Sequence, residues 1–448
     1  MLELFATPIY YPGCLGRMIQ NWDFDVAVVG GGPGGAAAAG ALARDGHRVV
    51  VFEREDFPRF HIGESQLPWI NEVLAKLGAT EAVAQAGFVD KWGASFTTAD
   101  GRSSQYADFA RAVEVPSPQT YQVSRASFDH VLLEHAAKCG ARVHQGYSAT
   151  DVVFDADGVT LSYSAADCRE SSARVGAVID ASGRAGFLAK RFGRRRRDPL
   201  LQNIAVHCQY DGIPRSEGRR AGDIRMVTRP DKGWFWFIPI SATTTSVGAV
   251  VPQSVYNGAA KATPEETLAH LVAETPAAAR LLANARAVSP ARFDADYSYL
   301  HSRHAGDRYV LVGDAGAFLD PIFSTGVLLA MQGGLEAAEA IGEGLRAGDL
   351  SARRFAAYER RLIRRYHHFR RFAAGFYDPS FRELFFSHSS RFGIYEAVLS
   401  VLGGNWRPSW KTRMRLHAFF ALVTLNRFVP VARHQSQPVL SPPERNHA

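Results

Sequence analysis

The sequence predicts an α/β chain made of a Rossmann-like dinucleotide-binding domain, a second, mainly β domain of α+β character, and a helical C-terminal region. Three observations predict it. From Phe24 an apolar run, a glycine cluster, an alanine-rich stretch and a second apolar run follow one another (FDVAVVG, GGPGG, AAAAGALARDG, HRVVVFE), the pattern of strand, tight turn, helix and strand that builds a helix-covered parallel sheet. Apolar segments over 91–125 and 203–252, among them GWFWFIPI and TTTSVGAVV, describe a second sheet. From Gly326 the apolar spacing turns helical, and the chain stays helical and rich in Arg, Phe and Tyr to about Phe428.

Each part has its own grounds. Residues 1–23 lack a basic start, a continuous apolar centre and a small-residue cleavage site, and read as an N-terminal extension outside the fold. The dinucleotide-binding domain is assembled from 24–90, 125–200 and 290–345, the β-rich substrate domain from 91–124 and 201–289, and the helical region from 346–433. The tail 434–448, with Pro, Ser, Gln and Asn and few apolar residues, is expected to be disordered. With 448 residues, 46% hydrophobic and 21% charged, the chain can bury an extensive core in two or three units. No apolar run approaches the roughly 20 residues that span a bilayer, so neither integral membrane contact nor export is expected and the location is read as cytoplasmic. Cys14, Cys139, Cys168 and Cys208 form no C-x-x-C pair and read as free thiols. The formal charge of +7 is concentrated at Arg194–Arg197 and Arg360–Arg371. Such runs are solvated faces or a landing surface for an acidic protein, and no motif points to nucleic acid.

Gly30, Gly32 and Gly35 give G-x-G-x-x-G between a strand and a helix. The first glycine permits the tight turn, the second a close backbone approach and the third helix-to-strand packing, so the helix N-terminus faces a pyrophosphate. Glu53 closes the second strand 23 residues after Gly30, where a carboxylate accepts from ribose hydroxyls. NAD and FAD share this fingerprint, and later segments choose between them.

YVLVGDAGAFLDPIFSTG, with Gly313 and Asp314 after an apolar strand, resembles the segment by which FAD monooxygenases of the p-hydroxybenzoate hydroxylase type hold the ribityl chain. Arg125, ahead of a helix in YQVSRASFDHVLLEHA, and Asp180 to Arg184 in AVIDASGR are similar to further segments of that class, in the same order. The resemblance implies FAD, with Asp314 accepting from a flavin hydroxyl. No second fingerprint serves a nicotinamide cofactor, so reduced flavin comes from a separate flavin reductase or from transient NAD(P)H contact.

Three further motifs resemble the flavin-dependent halogenases of phenol and pyrrole type. The first is W-x-W-x-I-P, here Trp234, Trp236 and Pro239. Tryptophans two apart on a strand face one side, and in the family such a wall separates flavin from substrate. The second, F-x-x-P-x-x-S-x-G, runs from Phe318 to Gly326 directly after Asp314. A turn opening a helix offers backbone N–H groups to an anion, and the resemblance assigns the halide to Thr325 and Gly326, with Ser324 as a catalytic neighbour. The third is Lys91, in K-x-G-A downstream of Gly63-Glu64-Ser65-Gln66-Leu67-Pro68. It matches the family's essential lysine, which takes up hypohalous acid either as a hydrogen-bonding ammonium or, when deprotonated, as a haloamine. Read singly, the tryptophans are core aromatics, Ser324 an N-cap and Lys91 a surface lysine.

The resemblance implies that FADH2, O2 and chloride or bromide give hypohalous acid, which passes to Lys91 and then to an electron-rich arene. Tryptophan halogenases carry a glutamate just before the Ser-Thr pair, and this chain has Phe323. That points to phenol or pyrrole substrates, including aromatic acyl groups on an acyl carrier protein. An aromatic hydroxylase, a reductase similar to the geranylgeranyl reductases, and a flavoprotein scaffold without catalysis remain alternatives at this point. The first two give no reason for W-x-W-x-I-P, and the intact set of motifs argues against the third.

Overall fold

The computed structural model describes residues 21–165, 169–257, 262–387 and 391–429. Most of the N-terminal extension, the tail, Cys14 and Cys168 lie outside the described residues. Cys139 and Cys208 carry free thiols.

The glycine cluster separates two buried strands, Phe24–Val29 and Val49–Glu53, which pair in parallel through the helix Pro33–Arg44. Glu170–Asp180 and Arg142–Gln145 flank them, Tyr309–Leu311 adds beyond Glu170–Asp180, and all these pairings are parallel. An antiparallel hairpin, Tyr147–Phe154 with Val159–Ala165, leads back into Glu170–Asp180. Helices Pro33–Arg44, Arg125–Lys138 and Gly326–Ala347 cover one face in a shared apolar core. Gly334 lies where a Cβ would come within 2.3 Å of the Gly34 carbonyl, so the helices beginning at Pro33 and Gly326 cross almost backbone to backbone.

Among the described residues the second sheet has nine strands, with Trp234–Pro239 between Thr244–Pro252 and Ile224–Thr228. Arg292–His301, expected in the dinucleotide-binding segment 290–345, pairs instead with Arg195–Asp211 in this sheet. Its residue pattern shows a strand, and which sheet takes the strand depends on long-range register that the pattern does not carry. Residues 21–23 also join the fold. The Trp22 indole is buried over Gly176 and donates to the Asp157 carbonyl at 2.9 Å.

The C-terminal helices Ala352–Phe376, Pro379–Phe386, Ile394–Leu402 and Trp410–Asn426 close over the second sheet. Phe369, Phe372, Phe376, Phe381 and Phe385 pack into one core with Trp234, Trp236 and Ile238. Phe235 and Phe237 point to the opposite core, the alternation a strand imposes. Asp378 caps the helix Pro379–Phe386 through the Ser380 N–H at 2.9 Å and pairs with Arg427. Among the described residues no helix is long and apolar enough to cross a membrane.

Candidate active site

Between the two sheets and the N-terminus of Gly326–Ala347 lies a cavity of about 640 Å³. The glycine turn forms one end. Gly30, at φ +102°, faces the Ala181 carbonyl, which a Cβ would meet at 2.4 Å, and a Cβ on Gly35 would lie 1.9 Å from the Gly30 carbonyl oxygen. Gly32 caps the helix and borders the cavity, and among the described residues a Cβ there would meet only the Arg59 guanidinium, at 3.5 Å. Backbone N–H groups at a helix start are thereby open to a phosphate. Glu53 is buried at the cavity edge. It accepts from the Gly31 N–H at 2.6 Å and the Glu55 N–H at 2.9 Å, and these donors fix its carboxylate.

Arg125 is buried in the wall, held to Asp129 by two hydrogen bonds of 2.7 and 2.8 Å and to the Ile62 carbonyl at 2.7 Å. Arg59 reaches the same carboxylate at 2.8 Å. Asp129 therefore pairs with two guanidiniums where the sequence singled out Arg125 alone. Gly313 takes φ +59° and presses on Ala330, and Asp314 follows it at the cavity surface. Burial pushes the Asp314 carboxyl up to about 6 against the pull of Arg184 and Arg125. A buried carboxyl at the surface of a cavity is able to accept a hydrogen bond from a ligand hydroxyl. Asp180 plays a different part, accepting from Ser182, Leu188 and Ala189 and so fixing the turn over Gly30.

Trp234 and Trp236 both line the cavity, ring centroids 5.9 Å apart. The Trp234 indole donates to the Tyr377 hydroxyl at 2.9 Å, and that hydroxyl donates to Asp320 at 2.9 Å. Trp236 donates to Ser246 at 3.2 Å and lies flat over Gly248, where a Cβ would come within 2.2 Å of its ring. Pro239 was expected in this wall. It is buried but does not line the cavity, because parity gives the third cavity-facing position to Ile238. Tyr377 is far away in sequence, and no local pattern announced it.

Ser324 and Gly326 line the cavity where the long helix begins. Ser324 sits at φ +55°, and a Cβ on Gly326 would meet nothing within 4 Å. The first helical bond runs from the Leu329 N–H to the Thr325 carbonyl, leaving the N–H groups ahead of it without intrahelical partners. Thr325 does not line the cavity through its side chain, which is buried with its hydroxyl unpaired. Any role at this turn falls to its backbone.

Lys91 is 1% exposed and lies one side chain behind the cavity. It donates to Ser65 Oγ at 2.7 Å and the Gln66 carbonyl at 2.8 Å, with its ammonium 5.3 Å from the Phe109 ring centre. Ser65 and Glu64 line the cavity. Burial pulls Lys91 down to about 7, partly offset by Asp223, and burial also raises the Glu64 carboxyl. The G-E-S segment was legible as a landmark before Lys91. Its second use, placing one residue of the cavity surface against the lysine, was not.

Two large sheets, a glycine-rich turn that opens a helix onto the cavity between them, and a buried acid in the cavity wall form the framework of an FAD-dependent oxidoreductase. The chain belongs to the tryptophan halogenase family, whose model matches residues 25–115 and 99–394. It is a flavin-dependent halogenase, using FAD and halide. It is 35% identical over 363 residues to the 1H-pyrrole-2-carbonyl-[peptidyl-carrier protein] chlorinase of Pseudomonas fluorescens, covering 76% of this chain and 80% of that one. It is 34% identical over 372 residues to the tryptophan 2-halogenase of Chondromyces crocatus, covering 80% and 68%. Among solved structures, a triple mutant of the flavin-dependent brominase Bmp2 superposes with a TM-score of 0.80 at 30% identity, covering 89% of this chain and 99% of that chain.

Proposed function

We propose that this halogenase installs chlorine or bromine on a phenol- or pyrrole-type ring presented as a carrier-protein thioester. Reduced flavin, supplied by a separate reductase in the cytoplasm, provides the electrons with which O2 and halide become hypohalous acid. Gly30, Gly32, Gly35, Glu53, Arg125, Gly313 and Asp314 hold the cofactor. The turn from Ser324 to Gly326 holds the halide on backbone N–H groups. Trp234 and Trp236 keep the substrate ring off the flavin, so oxygen reaches halide instead of carbon.

Lys91 carries the reading. Lysine is rarely buried without an ion pair, and Lys91 has two neutral partners, Ser65 and Gln66. With its ammonium and amine forms balanced near neutrality, it can hydrogen-bond hypohalous acid or accept the halogen on nitrogen. Phe323 supports an activated ring over free tryptophan. Its side chain is buried edge-on against Phe376, 5.7 Å between centroids, so no carboxylate stands at that position to draw off a ring proton. A phenol or pyrrole supplies that activation from its own O–H or N–H. The test combines a flavin reductase, NADH, FAD, O2 and chloride or bromide with pyrrole-2-carbonyl carrier thioester, phenols and free tryptophan. Mass spectrometry is expected to show the halogen isotope pattern on the first two. Halogenation of tryptophan alone would overturn the substrate assignment.

A further inference from the structure

The helix Trp410–Asn426 buries Thr412, Leu416, Phe419 and Val423 against the core, yet it is also apolar on the side that faces solvent. Trp410 is 69%, Met414 61% and Leu425 48% exposed, and Ala418 and Ala421 lie exposed between them. These positions recur at three- and four-residue steps and so form one continuous stripe. Scattered apolar residues on a surface mean nothing, but a contiguous stripe marks an interaction site. No Asp or Glu occurs between Trp410 and Val429, whereas Lys411, Arg413, Arg415 and Arg427 do. Among the described residues only Arg427 of these four makes an ion pair, with Asp378.

The stripe is also joined to the reaction centre. Glu114 accepts from the Thr412 hydroxyl at 2.6 Å, the Ser409 N–H at 3.1 Å and Asn405 at 2.8 Å, fixing the start of this helix. Glu114 belongs to the same short segment as Phe109, the ring beside Lys91, and Val113 within it is 44% exposed. A partner seated at the Trp410 end therefore lies next to the segment that packs on the lysine.

We propose that the Trp410–Leu425 stripe is the landing surface for an acidic, helical carrier protein bearing the aromatic thioester. The assignment rests on the carrier-bound reading given above. Charge selects the occupant. A second copy of this helix would bring basic residues against basic residues, while an acidic helix satisfies Lys411 and Arg413 as its apolar face covers the stripe. Shape agrees, since Ala418 and Ala421 leave a shallow seat between the bulkier Trp410 and Met414 on one side and Leu425 on the other. An anionic bilayer shares the charge preference but favours large side chains along the whole stripe.

The experiment compares the wild-type enzyme with Trp410→Ala/Met414→Glu and Lys411→Glu/Arg413→Glu. Each receives pyrrole-2-carbonyl on an acidic peptidyl carrier protein and, separately, as its pantetheine thioester. Both double variants are expected to raise KM for the carrier substrate on the order of tenfold, leaving the pantetheine thioester, the melting temperature and FAD binding unchanged. Salt is expected to erase the effect of the charge variant more than that of the apolar one. Wild-type enzyme that turns over both thioesters equally well would sink the carrier reading itself. Variants that keep a wild-type preference for the carrier would sink only this surface. Loss of binding to phosphatidylglycerol vesicles, or of a dimer in light scattering, with carrier kinetics intact, would reassign the stripe to a membrane or to a second copy.

Discussion

In the role proposed for it, Lys91 trades stability for chemistry. Its desolvation lowers it to about 7 from 10.5, so the unfolded chain binds this proton more readily than the folded one. The resulting destabilisation is fully present below about pH 7 and is relieved as pH rises toward the unfolded value. A shift of this size corresponds to roughly 5 kcal/mol at 1.36 kcal/mol per unit, reduced by the hydrogen bonds to Ser65 and Gln66, whose loss costs on the order of 1–3 kcal/mol if they stay unsatisfied. Lys91→Met is therefore expected to abolish halogenation while raising the melting temperature at pH 6, with the gain shrinking by pH 9. Flavin reoxidation by O2 is expected to continue, because in the role proposed for it the lysine acts after hypohalous acid has formed. Thermal melts across pH, with product yield per flavin oxidised, check both halves. An unchanged or lower melting temperature at pH 6 would mean that Lys91 bears no burial penalty.

At the scale of elements, the wall depends on a pairing between strands. Trp236 sits directly opposite Gly248 across Trp234–Pro239 and Thr244–Pro252, and the indole occupies the space where a side chain at 248 would be. Gly248→Ala is expected to push Trp236 from its place and cost about 1–3 kcal/mol as an overpacked site. It is also expected to lower product yield per flavin oxidised, since on the proposed reading a displaced wall lets hypohalous acid escape. A variant with full yield and wild-type stability would show that the indole has room to move. W-x-W was readable because strand periodicity puts 234 and 236 on one face, and the same parity excludes Pro239. Gly248 and Tyr377 were unreadable because register and the return of a distant helix set their positions. The order of the flavin segments was legible for a complementary reason, as each is a local turn whose glycine or acid answers a local need. The membership of Arg292–His301 depends on a pairing with residues about a hundred positions earlier, so its sheet was not legible.

Over the whole molecule, the helical region and the flavin domain meet at one buried carboxylate. Glu336 lies mid-way along Gly326–Ala347, the helix whose first turn faces the flavin cavity. It binds Arg365 through both oxygens at 3.0 and 2.7 Å, accepts from Gln332 at 2.8 Å, and has Arg361 and Arg407 within 3.4 and 3.6 Å. Arg365 belongs to the helix Ala352–Phe376, whose C-cap is Tyr377, the residue holding Trp234. The basic run Arg360–Arg371, read from sequence as a solvated face or a landing surface, thus turns part of its charge inward, with Arg365 on Glu336 and Arg370 on Asp198. Glu336→Gln keeps the shape and removes the charge, leaving Arg365 buried without an ionised partner. Breaking one side of a buried pair costs on the order of 3–5 kcal/mol. Burial alone would raise the Glu336 carboxyl, but Arg365 and the neighbouring donors outweigh it and hold the group below its usual range. The sign follows from that depression. Its contribution is complete above the unfolded carboxylate value and is lost as pH falls through the lower folded value. Glu336→Gln is therefore expected to melt well below wild type at pH 7, and the gap is expected to narrow as pH falls below the ordinary glutamate range. Because Glu336 and Arg365 tie the helix that starts at the Ser324–Gly326 turn to the helix capped by Tyr377, which holds Trp234, halogenation is expected to fall more than FAD affinity. A gap that stays constant down to acid pH would show that the glutamine, not the missing charge, causes the loss.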